Sequence, residues 1–335
     1  MFNKRVTILG AGSWGMAVSH LLHLQGCKVT LWEYNPEDFQ SLSQTRSNPK
    51  RLKSFTLDDD VRVTDDLAAA VVDAEVVALA VPSQHLRPTI RPIRRELTKV
   101  PVVVNLAKGV ERKSLQRMSE VIIEEAGLDA ARIATVSGPS HAEEVITDMP
   151  TTVVAASTSE ALADSVQTLF SVGHFRVYQS RDIIGVELGG ALKNIIAIAA
   201  GIVDGLGLGD NTKGALMTRG LAEITRLGTA IGARAETFAG LSGMGDLVTT
   251  CISKHSRNRF VGDCIGKGER LEDILAGMSM VAEGVQTTHS GFELARRHGV
   301  EMPITEAVYQ VLFENKPAPQ AVGDLMERRL RAEVW

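Results

Sequence analysis

Residues 5–15 read RVTILGAGSWG, an apolar, β-branched run followed at once by three glycines in the spacing GxGxxG. A helical pattern, Met16–Leu24, continues from the third glycine, so the motif joins a predicted strand to a predicted helix. In this context Gly10 makes the tight turn, Gly12 lets the backbone approach a pyrophosphate, and Gly15 lets the helix pack closely on the sheet. Backbone N–H groups and the helix dipole then favour the negative charge. The stretch predicts a dinucleotide-binding βαβ unit, with a plain glycine turn as the alternative.

Outward from this motif, the first half of the chain alternates short β-branched runs with helical patterns. The strand-like runs are Val6–Leu9, Lys28–Trp32, Val61–Val63, Val76–Val81, Val102–Leu106 and Ile133–Val136. Helical patterns at Leu67–Val72 and Leu115–Ala126 separate later pairs of runs. This alternation predicts an α/β Rossmann-type, doubly wound and mostly parallel sheet with helices on both faces. A strand, a helix and a strand extend it, at Thr152–Ala156, Ala161–Phe170 and Phe175–Tyr178.

From Asp182 onward the pattern becomes helical, and the sequence predicts no further strand. The predicted helices are Ile183–Val203, Ala215–Ile231, Thr287–His298, Thr305–Phe313 and Ala318–Leu330. We therefore predict two domains, a dinucleotide-binding Rossmann domain at residues 1–180 and an all-α, substrate-binding domain at residues 181–335.

Composition indicates an ordinary soluble protein. Of 335 residues, 44% are hydrophobic and 23% are charged, and the formal net charge is −4. That charge gives no overall positive field to hold nucleic acid. Cys27, Cys251 and Cys264 are widely spaced, so neither a disulfide framework nor a metal site is predicted. A strand that begins at Arg5 leaves no room for a secretory signal, and no apolar stretch predicts stable membrane insertion. We expect a cytoplasmic protein.

Glu33 directly follows the second predicted strand, about 20 residues after the glycine motif, where an acidic residue binds the ribose 2′-hydroxyl of a dinucleotide. A carboxylate there would repel the 2′-phosphate of NADP. The cofactor is therefore NAD or NADP, with NAD favoured. A solvated loop charge is the alternative for Glu33, and Tyr34 or Arg46 could reshape the pocket.

Residues 187–194 read ELGGALKN and place Lys193 in an otherwise apolar helix. Its neighbours on the same helix face are all small: Gly189, Gly190, Ala197 and Ala200. Such a face can touch another helix closely or leave room for a ligand. Partial burial lowers the pKa of a lysine toward neutrality, which suits general acid/base catalysis. The alternative is a lysine that extends to solvent or pairs with Glu187 or Asp204.

Three further segments are placed to bind a ligand. Lys108 follows a predicted strand, and open α/β sheets bind ligands at the carboxyl ends of their strands. Ser256 is positioned to cap a helix that opens with Arg257 and Asn258, and a helix N-terminus with an arginine suits a phosphate group. The SGPS segment at residues 137–140 lies between a strand and a helix, so its N–H groups could bind a ligand oxygen. A surface lysine, an ordinary capped helix and a simple turn are the alternatives.

Taken together, these motifs resemble the bacterial-type NAD(P)-dependent glycerol-3-phosphate dehydrogenases. The resemblance covers nearly the whole chain, in order, through GAGSWG at 10–15, AKG at 107–109, SGPS at 137–140, GVELGGALKN at 185–194, GLSGMGDL at 240–247, HSRNR at 255–259 and VAEG at 281–284. The GGALKN and SRN segments together are highly specific, whereas the glycine loop alone is shared by many unrelated enzymes.

The resemblance implies reversible reduction of dihydroxyacetone phosphate to sn-glycerol 3-phosphate, a precursor of phospholipids. It implies Lys193 as the general acid/base and Lys108 as the group that polarises the reacting oxygen. Asp246 would orient Lys193 or bond a substrate hydroxyl. The implied substrate-binding residues are Lys108, Gly138, Ser140, Lys193, Asp246, Ser256, Arg257 and Asn258.

Motif and resemblance together indicate a cofactor site at the glycine loop. Its predicted residues are Gly10, Gly12, Ser13, Trp14, Gly15, Glu33, Tyr34, Lys108, Ala142, Arg257, Val281 and Glu283. Family members often carry a basic residue or histidine at the position of Tyr34, so Tyr34 agrees with a preference for NAD.

Two other functions stay open at this point. A related Rossmann and helical-domain dehydrogenase of 3-hydroxy acids also uses a helix lysine, but its substrate ends in a carboxylate. A non-catalytic, dinucleotide-sensing regulator would be free to lose Lys193 or Asp246, yet both are present. The small residues between Gly189 and Ala200 suit interdomain packing or a contact in a possible homodimer.

Overall fold

The computed structural model describes residues 3–330, 332 and 333, and its first half is built on one eight-stranded sheet. The strands are β1 (Arg5–Leu9), β2 (Lys28–Trp32), β3 (Arg62–Thr64), β4 (Val76–Leu79), β5 (Val102–Asn105), β6 (Ile133–Ser137), β7 (Thr151–Ala156) and β8 (Phe175–Ser180). Their order is β3-β2-β1-β4-β5-β6-β7-β8. The first six strands are parallel, β7 is antiparallel to β6, and β8 is parallel to β7. The predicted doubly wound, mostly parallel sheet is confirmed.

Eight helices accompany the sheet in the described chain up to residue 180. They are α1 (Ser13–Leu24), α2 (Pro36–Thr45), α3 (Leu67–Val71), α4 (Leu86–Ile90), α5 (Arg94–Leu97), α6 (Met118–Ala126), α7 (Ala142–Val145) and α8 (Glu160–Phe170). The sequence analysis missed α2, because that helix is mostly polar and Leu42 is its only buried apolar residue. Its start is nevertheless well defined, since the Asn35 side chain accepts hydrogen bonds from the N–H groups of Glu37 and Asp38.

The described chain beyond Ser180 contains helices and no strand, which confirms the predicted all-α second part. The helices are α9 (Ile183–Gly205), α10 (Gly209–Ala230), α11 (Ala235–Phe238), α12 (Asp246–Ile252), α13 (Arg257–Gly266), α14 (Leu271–Ala276), α15 (Glu283–His298), α16 (Pro303–Phe313) and α17 (Ala318–Met326). The last of these ends four residues earlier than predicted. The division into domains at residue 180 stays a prediction.

Burial explains why the strands carry such continuous apolar runs. All residues of β4 and β6 are buried, and only the first residue of β1 is exposed. One apolar cluster covers one face of the sheet and includes α1 and α8, and a second covers the other face and includes α4 and α6. Strands buried on both faces are typical of parallel sheets, where alternation between polar and apolar residues is lost.

The strand order also brings the predicted ligand-binding loops to one edge. β1 and β4 are neighbours in the sheet, although 66 residues lie between the end of β1 and the start of β4. The loops that follow β1, β4, β5 and β6 therefore leave the sheet at the same carboxyl edge, on both sides of the point where the strand order reverses. Ligands bind at this point in open α/β sheets.

The central helix of the second part, α9, runs past this edge. Because β7 and β8 are reversed relative to β6, the chain leaves β8 at the opposite edge, and α9 travels back along the sheet. Its Glu187 accepts a hydrogen bond from Thr135 of β6 (3.1 Å), and Gly190 lies against Ser137 at the end of that strand. Lys193 follows one turn later, just beyond the carboxyl edge.

Helix α9 is long and apolar enough to cross a membrane by length and composition alone, and it is the only such helix found among the described residues. However, 94% of its most apolar window is buried inside the protein. Helices α10, α12, α13 and α15 surround it. This burial is typical of the core helix of a folded domain.

Candidate active site

Three charged side chains from three different elements meet at the carboxyl edge of the sheet. Lys193 of α9 donates hydrogen bonds to Asp246 Oδ1 and to Thr250 Oγ1, the latter at 2.6 Å. Lys108, which follows β5, donates to Asp246 Oδ2 at 2.8 Å and to the carbonyl of Gly138 at 2.8 Å. Asp246 therefore bridges two lysines, one from each half of the chain. Lys193 pairs with neither Glu187 nor Asp204 in the described contacts, and it does not extend to solvent.

The helix face of α9 that carries Gly189 and Gly190 has almost no side-chain bulk, which lets the three charged side chains come together. An added Cβ at Gly189 would lie 2.7 Å from the carbonyl oxygen of Ser242, and one at Gly190 would lie 2.4 Å from Ser137 Oγ. Ser242 belongs to the π-helical turn at Leu241–Gly245, which leads directly into Asp246 at the start of α12. Of the two roles considered for this face, close contact with a helix is therefore correct for Gly189, whereas Gly190 packs against the end of strand β6.

The electrostatic setting suits proton transfer. Lys193 is 6% exposed and Asp246 is 2% exposed. Burial lowers the pKa of Lys193 to about 8, with Asp246 opposing the shift and Lys108 adding to it. Burial by itself would raise the pKa of Asp246, but the ammonium groups of Lys108 and Lys193 outweigh it, so the net shift is downward. A lysine whose pKa lies near the working pH can both donate and accept a proton.

A line of amide contacts connects this centre to the start of α13. Asn194 Nδ2 lies 3.4 Å from the carbonyl oxygen of Lys108, and Asn194 Oδ1 accepts from Asn258 Nδ2 at 2.8 Å. Asn258 Oδ1 in turn accepts from the N–H of Gly284 at 2.8 Å. The predicted phosphate-binding residues are therefore close to Lys193, although Asn258 itself is engaged by protein groups.

The start of α13 agrees with the sequence analysis. Ser256 caps the helix, its Oγ accepting from the N–H of Arg259 at 3.2 Å. Arg257 is exposed and donates to the carbonyl of Val281 at 2.9 Å. The guanidinium thus lies between the start of α13 and the segment that leads into α15, which carries the predicted cofactor-lining residues Val281 and Glu283.

The glycine loop fits a dinucleotide. Gly10 has a φ of +110°, and an added Cβ at Gly15 would lie 1.8 Å from the Gly10 carbonyl oxygen, so both glycines are needed for the turn itself. A Cβ added at Gly12 would meet no atom within 4 Å. Gly12 therefore faces open space at the N-terminus of α1, where backbone N–H groups suit a pyrophosphate. Ser13, Trp14 and Gly15 form the first turn of α1 beside it.

The next two predicted cofactor residues are placed differently from each other. Glu33 is 8% exposed, and its Oε1 accepts from the N–H of Asn35 at 2.7 Å, so it is not a solvated loop charge. Burial raises the pKa of Glu33. Tyr34 is 81% exposed beside it. Arg46 donates to the carbonyls of Asp58 and Val61, so its guanidinium is engaged in structural contacts.

Two more predicted cofactor residues, Glu283 and Ala142, lie at the starts of α15 and α7. Glu283 accepts hydrogen bonds from Ser83 N (2.8 Å) and Ser83 Oγ (2.5 Å), which ties the loop after β4 to the start of α15. Ala142 is buried at the start of α7. Binding of a cofactor by these residues stays a prediction.

Sequence analysis did not identify three residues of the site: Ser83, Asn194 and Thr250. Thr250 is four residues after Asp246, so both lie on one face of α12, and that spacing was a usable signal. Asn194 is adjacent to Lys193 within the motif. Ser83 had no sequence signal, because its partner Glu283 is 200 residues away.

Replacing Gly12 with alanine tests the cofactor fit. We expect Gly12→Ala to raise the KM for the dinucleotide at least about tenfold, because a methyl group would occupy the space open to the pyrophosphate. The melting temperature should barely change, since the φ of −67° at Gly12 suits alanine and unstrained surface changes cost about 0.5 kcal/mol or less. Gly15→Ala is the contrasting variant and should destabilise the fold itself. An unchanged dinucleotide KM in folded Gly12→Ala would contradict this placement.

Two family models together match most of the chain. The family model for the N-terminus of NAD-dependent glycerol-3-phosphate dehydrogenase matches residues 5–163, and the model for its C-terminus matches residues 182–323. The chain belongs to this family. The resemblance inferred from the motifs is thereby confirmed.

Curated members of the family are similar over the full chain. "Glycerol-3-phosphate dehydrogenase [NAD(P)+]" of Moorella thermoacetica is 53% identical over 331 residues, which cover 99% of this chain and 98% of that protein. The protein of the same name from Chlorobium phaeobacteroides (strain DSM 266) is 52% identical over 332 residues, covering 99% and 100%.

Solved structures agree with the family assignment. A crystal structure of glycerol-3-phosphate dehydrogenase from Coxiella burnetii shares 36% identity, with a TM-score of 0.94, and covers 98% of this chain and 100% of that one. A D-mandelate dehydrogenase complex shares 12% identity with a TM-score of 0.63, which shows a shared fold only.

Proposed function

We propose that this member of the family catalyses the reversible, NAD(P)H-dependent reduction of dihydroxyacetone phosphate to sn-glycerol 3-phosphate. The observation that carries the proposal is the buried Lys193, joined through Asp246 to Lys108 at the carboxyl edge of the sheet. Relatives about half identical over the full chain carry the name glycerol-3-phosphate dehydrogenase [NAD(P)+], which supports the same activity here.

The chain's own residues provide the proton chemistry. The substrate carbonyl oxygen would lie between Lys193 and Lys108, where two ammonium groups outnumber the single carboxylate of Asp246. When bound, the dinucleotide supplies the hydride in reduction and accepts it in oxidation. As negative charge develops on the oxygen, the two lysines stabilise it, and such fixed charges in a buried site are usually the largest contribution to catalysis. Lys193 then donates its proton to that oxygen.

Asp246 and Thr250 keep Lys193 aimed at this oxygen. Both accept hydrogen bonds from its Nζ, and Thr250 Oγ1 also donates to the carbonyl of Asp246 at 2.6 Å. In the direction of glycerol 3-phosphate oxidation, neutral Lys193 accepts the hydroxyl proton. A pKa of about 8 allows both roles near neutral pH.

Arg257 is proposed to bind the substrate phosphate. We expect Arg257→Ala to raise the KM for dihydroxyacetone phosphate about 10- to 100-fold with a smaller effect on kcat, because hydrogen bonds to charged groups are worth about 1.5–3 kcal/mol. Steady-state kinetics with saturating cofactor measures it. Arg259→Ala is a matched control, since Arg259 pairs with Asp204 through its Nε at 2.6 Å instead. An unchanged KM in Arg257→Ala would remove this residue from the phosphate site.

A preference for NAD is proposed from the buried carboxylate of Glu33. The experiment that tests both the activity and this preference is oxidation of NADH by dihydroxyacetone phosphate, repeated with NADPH. We expect kcat/KM to be higher with NADH, and Glu33→Gln to narrow the difference by removing a charge that repels the 2′-phosphate. Equal or better kcat/KM with NADPH in the wild-type protein would refute the preference, and no turnover with either cofactor would refute the activity.

The two rival functions receive less support. The relatives at about 50% identity are named glycerol-3-phosphate dehydrogenase, and their named substrate is a phosphate ester. The likeness to D-mandelate dehydrogenase, which acts on a hydroxy acid, extends to the fold only. A non-catalytic sensor has no need of the assembled Lys193, Asp246 and Lys108. Turnover of 3-hydroxy acids in preference to the phosphate ester would revive the first rival. A cytoplasmic location and a role in supplying phospholipid synthesis are further parts of the proposal. The small residues between Gly189 and Ala200 are buried within the chain, so they do not form the contact of a possible homodimer.

A further inference from the structure

His141 lies in the loop that leads from β6 to α7, directly after Ser140. Two contacts at Gly138 fix this loop in the site: its carbonyl oxygen accepts from Lys108 Nζ at 2.8 Å and from Ser140 Oγ at 2.9 Å. His141 occupies the N-cap position of α7, but its side chain makes no capping hydrogen bond. Helix capping therefore does not account for the imidazole.

The ring of His141 is close both to the start of α13 and to the two lysines of the site. Its centroid is 5.9 Å from that of His255, the residue immediately before the helix cap Ser256. The ring is also within electrostatic reach of Lys193 and Lys108. Burial, followed by these two ammonium groups and His255, lowers the pKa of His141 to about 4, with Asp246 opposing. At neutral pH the ring is therefore uncharged and carries one N–H donor.

One ring nitrogen of His141 is unsatisfied. Nε2 is buried and has no hydrogen-bond partner within the described chain. An unsatisfied buried polar atom costs free energy, so such atoms are rare and call for an explanation. Lys193 and Lys108 already direct donors to Asp246, and they are the groups proposed to face the reacting oxygen. His255, whose ring lies beside that of His141, directly precedes the cap of α13, so the imidazole of His141 is close to the start of that helix.

We propose that His141 is a specificity residue whose Nε2–H donates a hydrogen bond to the phosphate group of the substrate. The inference rests on the proposed function, because it takes the phosphate to lie at the start of α13. Arg257 would approach that phosphate from α13, and His141 would approach it from the β6 loop. A neutral donor is suited to this position, since it adds a hydrogen bond without a third buried cation beside two lysines. A substrate without the phosphate leaves the nitrogen unpaired and is disfavoured.

Three related ketones separate the possible contacts of His141. Dihydroxyacetone phosphate carries both a phosphate and a terminal hydroxyl, acetonyl phosphate lacks the hydroxyl, and dihydroxyacetone lacks the phosphate. His141→Phe keeps a planar ring without a donor, His141→Gln restores a donor, and His174→Phe makes the same change on an imidazole whose side chain is 64% exposed. For each, kcat/KM is measured on the three ketones, with melting temperature and dinucleotide affinity as checks on folding.

We expect His141→Phe to lower kcat/KM about 10- to 100-fold for both phosphorylated ketones, chiefly through KM, and less than about threefold for dihydroxyacetone. His141→Gln should recover much of the loss, and His174→Phe should match the wild-type protein. An equal loss on all three ketones, a loss confined to those with the hydroxyl, or no loss would overturn the proposal.

Binding measurements keep this inference separate from the proposed function. Calorimetric titration with glycerol 3-phosphate and with glycerol requires no turnover. If the wild-type protein reduces none of the ketones, the proposed activity fails. Weaker binding of glycerol 3-phosphate by folded His141→Phe, with tighter binding restored in His141→Gln, would still support the phosphate contact. Equal binding by the wild-type protein, His141→Phe and His141→Gln would overturn it.

Discussion

Lys193→Ala is expected to lower kcat for dihydroxyacetone phosphate reduction at least about 100-fold, the lower end of what a positioned general acid contributes. The variant loses the proposed proton donor and one of the two cations proposed to stabilise charge on the reacting oxygen. It also leaves the buried Asp246 with Lys108 as its remaining cation. The KM should change less than kcat, because Arg257 and not Lys193 is proposed to hold the phosphate end. Steady-state assays in both directions measure the effect.

Two further variants make this result specific. Lys193→Met keeps a long side chain and the packing of α9, so a loss equal to that of Lys193→Ala would assign the effect to the ammonium group. Lys267→Ala is the control, since the Lys267 side chain is 57% exposed and its pair with Asp263 is a surface contact. Retention of most of the wild-type kcat in Lys193→Met would exclude Lys193 as the proton donor.

Much of this site follows from local sequence patterns. The glycine loop, the cap at Ser256 and the lysine on a bare helix face each depend on residues a few positions apart, where strand and helix periodicities determine which side chains are neighbours. The carboxyl-edge location of Lys108 follows from the parallel topology. These features were predicted correctly as positions, although their roles in binding and catalysis stay predictions.

The rest required three-dimensional contacts between distant residues. Lys193 and Asp246 are 53 positions apart, and Lys108 and Asp246 are 138 apart, so no periodicity predicts that one carboxylate bridges both lysines. From the residues alone, Lys193 could pair with Glu187, pair with Asp204 or extend to solvent. Only the family resemblance indicated Asp246 as its partner. The burial of Glu33 was also undetermined, because a residue just after a strand can face solvent or the cleft.

The contacts of Glu187 fix the position of α9 relative to the sheet half of the chain. This buried carboxylate accepts from Arg117 Nη1 (2.7 Å), and from Ser119 N (2.8 Å) and Oγ (2.7 Å), all at the start of α6. Because Lys193 is six residues further along the same helix, these contacts with the sheet half of the chain fix where the lysine emerges. The sequence shows Glu187 only as a charge in an apolar helix, and its partners explain why it is buried there.

Asp246→Asn is expected to be the most destabilising of the conservative changes in the site. It removes the single carboxylate that faces Lys193 and Lys108, and breaking a buried ion pair costs about 3–5 kcal/mol of unfolding free energy. Since Asp246 raises the pKa of Lys193, its loss should lower that pKa further below 8. Oxidation of glycerol 3-phosphate, which uses the neutral lysine, should then reach its plateau at a lower pH, with a kcat reduced at least about tenfold by misplacement of the amine.

The pH dependence of stability gives Asp246→Asn a second readout. Burial holds the pKa of Lys193 below its unfolded value, so the unfolded state binds more protons between those two values and stability rises with pH there. In the variant this rise begins at a lower pH, and its stability deficit relative to wild type should therefore be larger at pH 6 than at pH 9. Urea unfolding at both pH values measures it, with Asp263→Asn, at the exposed Lys267 pair, as the control expected to lose less than about 1 kcal/mol. Equal deficits at both pH values and an unshifted oxidation profile would mean that Asp246 serves as a hydrogen-bond acceptor and that its charge does not set the proton affinity of Lys193.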